Sequence, residues 1–343
     1  MPTIFTVFSL LISFFVTFLF LPYWIKRAKE HNLVGRDINK LNGRSVAELG
    51  GLIVVFSAVL GILSYVAFSV FIYNNTTELL FLMASSTSIF IAVLIGLFDD
   101  ILGWKIGLRQ YQKMLLTFLI AIPIMVINTG VSSVRLPFFE WINFGVLFPL
   151  ILIPVGIVGA SNVFNMLAGF NGLEAGMGVI ILSSLGFISF MLGEHSAAVI
   201  SGCFVVALIA FLVYNWYPAV VFPGDIMTLS VGTAIAIVAI LGNIELYALM
   251  MFIPLYLIEF LLKSKGRFRK ESFGQITQNG LELKYDKIYG LTHLSIWLNK
   301  KIFGIATEQR IVLLILLFQF FISLSVVIYF LAIINAYIAN PWF

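Results

Sequence analysis

The sequence predicts an all-α polytopic membrane protein of about ten transmembrane helices, with both termini outside. Three observations carry that expectation. Of the 343 residues, 61% are hydrophobic and only 10% charged, where a soluble domain carries about 25% charge. The mean hydropathy is +1.07. The apolar residues gather into runs of span length, and the charges between those runs are sorted by side.

A helix crossing the hydrocarbon needs about 20 apolar residues. The first run, 4–25, has no basic n-region and no small-residue cleavage site, so it reads as a retained span rather than a signal peptide. Runs 50–73 and 79–98 are joined by a short polar turn whose tandem sequons, Asn74 to Thr77, read as an unmodified turn. The fourth run, 114–130, is short, and the aromatic-rich segment 135–143 reads as a loop. Runs 144–163, 176–193 and 196–215 follow, then the short run 226–242, then 245–262 and 311–334. Cys203 is the single cysteine, so no internal disulfide is available and it reads as a small apolar filler. No P-loop or Rossmann glycine pattern and no internal repeat is present.

Residues 1–343 therefore read as one transmembrane domain, with 264–310 as its sizeable extramembrane segment. In that segment Leu291, Leu294, Trp297, Leu298 and Ile302 recur at helical spacing beside Lys300 and Lys301. This predicts an interfacial helix on the inner leaflet, with an extension of the last span as the alternative.

The loops divide by charge. Those after odd-numbered spans carry 19 of the 20 basic residues: Lys26, Arg27, Lys29, Arg36, Lys40 and Arg44, then Lys105, Arg109 and Lys113, then ten between Lys263 and Arg310. The opposite side carries only Arg135. Basic loops stay inside, which puts the odd-numbered loops in the cytoplasm and both termini outside. Twelve of the 16 acidic residues lie on the same side, the exceptions being Glu78, Glu140, Glu194 and Glu245.

Several acids stand at the membrane edge, where ionisable groups are expensive and usually functional. They are Glu48 before the second span, Asp99 and Asp100 ending the third, Glu174 before the sixth and Asp225 opening the eighth. The stretch SNVFNMLAGFNGLEAG, 161–176, adds Asn162, Asn165 and Asn171. Oxygen ligands ringed by lysine and arginine suit a magnesium ion and a phosphorylated substrate.

Each piece also has a bland reading. Asp99 and Asp100 point about 100° apart on a helix, so they would divide their work rather than grip one ion symmetrically; alone, the pair is a solvated helix end. Lys113 alone is an ordinary positive-inside lysine. Asp225, after Pro223 and Gly224, is a common N-cap. The basic run KGRFRKESFG would anchor lipid headgroups. His31, His195 and His293 are scattered without metal-ligand spacing. A secondary transporter also has many spans and membrane-embedded acids, but with sites near the midplane and repeats.

Taken in order, these motifs resemble the polyprenyl-phosphate N-acetylhexosamine-1-phosphate transferases, which start peptidoglycan, O-antigen, teichoic-acid and N-glycan assembly. NVFNMLAGFNGLEAG is most similar to the asparagine-rich loop of the eukaryotic and archaeal branch, the UDP-N-acetylglucosamine–dolichyl-phosphate N-acetylglucosaminephosphotransferases. RDINK with AELGG resembles that branch's first cytoplasmic loop, GLFDD the paired aspartates, and VFPGD the loop of the metal-binding aspartate. The resemblance runs from about 36 to 334. The Asp100–Lys113 spacing is closer to the bacterial arrangement, and 264–310 is weakly similar away from RFR.

The resemblance implies ten transmembrane helices with a cytoplasmic active site. It implies Asn165 and Asp225 as ligands of Mg²⁺, with Mn²⁺ as a substitute. Asp99 and Asp100 would stand at the phosphate-transfer centre, with Lys113 on phosphate. Glu48, Asn162 and Asn171 would line the nucleotide-sugar site, and Arg267 and Arg269 would hold pyrophosphate and sugar. The implied partners are UDP-GlcNAc, a polyprenyl (dolichyl) phosphate and membrane lipid, with no nucleic acid; homodimers occur in the family. Location would be the cell membrane in a prokaryote or the endoplasmic reticulum in a eukaryote. Within the class, the alternative is a bacterial-type transferase using undecaprenyl phosphate.

Overall fold

The computed structural model describes residues 3–40, 43–102, 110–135, 141–278 and 280–339. The basic residues Lys105 and Arg109, and Glu140 with the middle of the 135–143 segment, lie outside them. The described chain is dominated by helices. They are α1 (Thr3–Glu30), α2 (Gly50–Tyr73), α3 (Leu79–Leu102), α4 (Gln110–Val126), α5 (Ile153–Met166), α6 (Leu173–Met191), α7 (His195–Asn215), α8 (Gly224–Leu241), α9 (Glu245–Lys265), α10 (Leu291–Phe303) and α11 (Glu308–Ala339). A π-helical turn, Phe148–Leu152, leads into α5. Among the described residues nine helices are long and apolar enough to cross a membrane, and α4 is a shorter apolar helix. This is a multi-pass membrane protein.

Among the described residues three short antiparallel strand pairs decorate the helix ends: β1 (Val34–Arg36) with β2 (Ser45–Ala47), β3 (Ser133–Arg135) with β4 (Trp141–Asn143), and β5 (Gln275–Thr277) with β6 (Gly280–Glu282). The segment 135–143 is thus bracketed by paired strands rather than being loop throughout.

The bundle is centred on α8, whose apolar window is 89% buried against 22% for α1 at the periphery. Helices α2, α3, α5 and α7 pack around α8. In lipid the apolar effect does not drive helix association, so close backbone approach matters more. Two glycines provide it. A Cβ on Gly96 of α3 would stand 2.6 Å from the Ile226 backbone nitrogen, and one on Gly232 of α8 would stand 2.6 Å from Ser161 Cα of α5. Several hydroxyls within the apolar helices are satisfied locally: Ser9, Thr17, Ser57 and Ser85 each donate to the carbonyl four residues back. Gln319 ties α11 to α9 through the Met251 carbonyl at 3.0 Å.

Most helix ends lie a few residues from the apolar runs, α4 at Gln110–Val126 and α11 at Glu308–Ala339 among them, and two of the shifts bear on the site. Helix α3 continues through Asp99 and Asp100, and α6 begins at Leu173, so Glu174 lies in its first turn, 3% exposed, instead of preceding it. Both extensions occur because the carboxylates find donors there, as described below. Helix α10 is separate from α11, not an extension of it. Its buried face is Leu291, Thr292, His293, Ser295, Ile296 and Asn299, while Trp297 and Ile302 stay exposed.

Candidate active site

Segments from far apart in the chain meet at one end of the bundle. The anchor is the turn before α8. Residues 45–51 are zipped along it: Phe222 N–H donates to Ala47 O (2.7 Å), Gly50 N–H to Phe222 O (2.9 Å) and Gly51 N–H to Pro223 O (2.9 Å). The α2 N-terminus therefore spends its orphan donors on the carbonyls of this turn. The same zipper places Glu48 beside the turn. Trp24 Nε1–H holds the Glu48 carbonyl at 2.9 Å, and burial raises the pKa of its half-buried carboxyl.

Asp100 reaches across from α3 to the first turn of α8. It accepts the backbone N–H groups of Asp225 at 2.9 Å and Ile226 at 3.2 Å. A carboxylate on a helix N-terminus meets both unpaired donors and the positive end of the dipole. Gly224 makes room: its φ is +69°, and a Cβ there would stand 2.5 Å from Asp100 Oδ2. Asp225 is therefore not the cap of its own helix. The cap comes from another helix, and the Asp225 side chain is turned to other work.

That work centres on Lys113, in the first turn of α4. Its ammonium donates to Asp99 Oδ2 at 2.8 Å and also to Asp225 Oδ2. Three helices thus contribute to one cation–carboxylate cluster. The adjacent aspartates split as their 100° offset requires, with Asp99 in the cluster and Asp100 on the α8 terminus.

Asn162 sits one turn deeper, where its Nδ2 donates to Thr117 Oγ1 (2.8 Å) and Val158 O (2.9 Å). Thr117 is one turn from Lys113 along α4. Asn165 is nearly one turn from Asn162 along α5, toward the same end of this antiparallel pair. The half-buried Asn165 amide makes no hydrogen bond to a described residue.

The loop 167–172 after Asn165 is held by side chains from five other elements. Lys263 of α9 donates to Met166 O at 2.5 Å, and Asn39 donates to Gly169 O at 3.0 Å. Gly169 N–H goes to Glu174 of α6 at 2.6 Å, Asn171 N–H to Glu308 of α11 at 2.9 Å, and Gly172 N–H to Asn215 of α7 at 3.1 Å. The Asn171 amide donates to Asp37, itself paired with Lys40 and 2% exposed. Asn171, 5% exposed, is thus committed to the scaffold of the loop. Asp37 and Asn39 lie in the RDINK motif without an individual role legible there, and Asn215 and Glu308 carry no signal in the sequence. Burial marks all four as parts of the scaffold.

Arg267 and Arg269 lie in the tight turn that ends α9, both side chains exposed. The turn uses positive φ at Arg267 (52°) and Phe268 (56°), with Phe268 N–H on Lys263 O at 3.0 Å. Lys263 itself touches Met166, so this turn lies at the same end of the bundle. The structure does not bring the two guanidiniums into contact with the aspartates.

Among the described residues no three carboxylate, histidine or cysteine side chains form a ready-made metal cage. The candidate donors are the second oxygen of the Asp225 carboxylate, whose Oδ2 takes Lys113, and the Asn165 amide oxygen at the same end of the bundle. One or two protein oxygens completed by water and substrate phosphate is the pattern magnesium takes, so the donor set fits a hard divalent cation.

Residues 80–243 match the family described as Glycosyl transferase family 4. Relatives along most of the chain include a protein of Saccharolobus solfataricus, 34% identical over 83% of this chain and 86% of its own. One of Sulfolobus acidocaldarius is 34% identical over 90% of each. One of Dictyostelium discoideum is 29% identical over 70% of this chain and 67% of its own. The Dictyostelium protein is named UDP-N-acetylglucosamine–dolichyl-phosphate N-acetylglucosaminephosphotransferase, and the two archaeal proteins bear a provisional form of that name.

Proposed function

The chain belongs to glycosyl transferase family 4, and from that premise we propose that it transfers N-acetylglucosamine 1-phosphate from UDP-GlcNAc to dolichyl phosphate, releasing UMP. The observation that carries this reading is the Asp99–Lys113–Asp225 cluster, built from three helices at the same bundle end as the asparagine-rich loop. That end bears the basic residues and faces the cytoplasm in this reading, where a sugar nucleotide would reach it. The chain acts as a single catalytic membrane domain.

In the reaction an oxygen of the lipid phosphate attacks the β-phosphorus of UDP-GlcNAc. A new P–O bond forms, the bond from the β-phosphorus to the bridging oxygen breaks, and that oxygen leaves with UMP. The nucleophile is ionised at neutral pH, so no strong base is required. The demand is for charge neutralisation and in-line placement. Lys113 supplies a cation to the developing charge on the phosphate oxygens. Asp99 orients that ammonium and, next to it, the incoming lipid phosphate. Asp100 sets the position of Asp225 by holding the start of α8. Asn165 and Asp225 would hold the divalent cation, read as Mg²⁺, which supplies Lewis-acid polarisation of the pyrophosphate when bound. Arg267 and Arg269, on the turn after α9, would close on the pyrophosphate and sugar. Glu48 and Asn162 would line the nucleotide-sugar side, and Asn171 would shape it.

The test is direct. Purified protein given radiolabelled UDP-GlcNAc and dolichyl phosphate should yield a lipid-linked labelled product and UMP in equal amounts. The same panel with undecaprenyl phosphate and other UDP-sugars sets the carrier and sugar. No lipid-linked product with any pair would overturn the reading.

A further inference from the structure

The asparagine-rich loop is also buttressed from outside the membrane helices, by a residue the reaction scheme does not use. The Phe273 ring lies against Gly169: a Cβ there would stand 2.7 Å from Phe273 Cζ, and φ at Gly169 is +110°. The same ring stacks on Phe170, with centroids 6.2 Å apart and planes at 29°. What places Phe273 is its backbone. Its carbonyl meets His293 Nε2 at 3.1 Å, and the preceding Ser272 carbonyl accepts from Thr292 Oγ1 at 2.6 Å. His293 is fully buried, and its Nδ1 accepts the Tyr289 backbone N–H at 3.4 Å. A donor pointing at Nδ1 puts the ring proton on Nε2, so the neutral imidazole donates to Phe273 O. Glu259 of α9 fixes the start of α10 by accepting Leu291 N–H at 2.5 Å.

We propose that His293 is a positioning residue for the transfer reaction: its Nε2–H clamps Phe273 onto Gly169 and Phe170, and so holds the loop that continues from Asn165. The proposal rests on the transferase reading for its kinetic part, but not for its structural part. It also gives α10 a function at the site that its exposed Trp297 and Ile302 face does not suggest. The imidazole has no direct contact with the aspartate cluster. It acts through the loop, so its loss should weaken sugar-nucleotide binding more than the chemical step.

Two near-isosteres separate a clamp from mere filling. In His293→Gln the terminal amide N–H reaches the Nε2 position and keeps the bond to Phe273. In His293→Asn the shorter amide keeps the Nδ1 bond and loses Phe273. One lost hydrogen bond corresponds to roughly a tenfold change. His293→Asn should therefore raise KM for UDP-GlcNAc about tenfold, with kcat within about twofold, while His293→Gln stays within about twofold of wild type in both. Hydrogen–deuterium exchange of the 167–173 peptide, read without any substrate, should be faster in His293→Asn and unchanged in His293→Gln. If His293→Asn fails to fold, Phe273→Leu keeps the backbone carbonyl, removes the ring, and should show the same faster exchange and higher KM. Should wild type make no lipid-linked product, the transferase reading fails and the exchange data alone judge the clamp. Wild-type exchange in both His293→Asn and Phe273→Leu, or equal damage in His293→Gln and His293→Asn, overturns it.

Discussion

Asp100 of α3 caps a helix that begins 124 positions later: its carboxylate accepts the Asp225 and Ile226 N–H groups at 2.9 and 3.2 Å. The neighbouring Asp99 turns the other way, to Lys113. Two adjacent acids thus have different duties, and their substitutions should separate. Asp100→Ala removes the acceptor for two part-buried backbone donors, each costing on the order of 1 kcal/mol when left unpaired. Its thermal midpoint in detergent should fall below both wild type and Asp99→Ala. Asp99→Ala should keep the wild-type midpoint and lose turnover. Equal midpoints would remove the capping role.

Gly224 is the second requirement of that cap. Alanine there would put a Cβ 2.5 Å from Asp100 Oδ2 at a φ of +69°. The left-handed backbone alone costs a non-glycine residue roughly 1–2 kcal/mol. Gly224→Ala should lower both thermal midpoint and product formation. Wild-type values in a lipid-linked product assay and a melt would show that the turn relaxes freely.

Lys113 is the shared cation of Asp99 and Asp225. Lys113→Met removes the charge and keeps the length of the stem. Loss of one transition-state donor costs about 10² to 10³ in kcat, and a drop of that order is expected here, carried by kcat rather than by KM for UDP-GlcNAc. A change in KM alone, measured as UMP release, would place Lys113 in ground-state binding.

Chelation tests the cation. Excess EDTA should abolish UMP release, and Mg²⁺ should restore it. Asn165→Ala should raise the Mg²⁺ concentration needed for half-activity. Asp225→Asn should nearly abolish turnover while leaving the protein folded, because the α8 donors held by Asp100 belong to the backbone. Full activity in EDTA would discard the metal from this scheme.

His293 makes a pH prediction. Burial lowers its pKa from 6.5, helped by the nearby Lys284 charge. Tyr285, with its ring at 6.0 Å, and Glu259 through Leu291 are the other ionisable groups near it. The unfolded chain then binds the proton more readily than the folded one. The contribution is fully present above about pH 6.5 and declines as pH falls toward the folded value. The thermal midpoint should therefore drop more between about pH 7.5 and 5.5 in wild type than in His293→Gln. An equal drop would assign the acid sensitivity to other groups.

What the sequence determined by itself follows from local physics. Apolar run length set the spans, because only about 20 apolar residues can cross the hydrocarbon. The one-sided lysines and arginines marked one end of the bundle, and the dense asparagines of 161–176 announced a polar site there. Adjacency on a helix also foretold that Asp99 and Asp100 would diverge. Tertiary structure alone decided what each acid and amide does. Asp225 looks like an N-cap in its own sequence, yet Asp100 caps its helix. Asn171 looks like a free reader, yet Asp37 and Glu308 hold it. His293 looks isolated, yet it reaches the asparagine-rich loop through Phe273. The reason is common to all three: a buried polar group must find a partner, and in a folded bundle the nearest one comes from a helix or loop far along the chain.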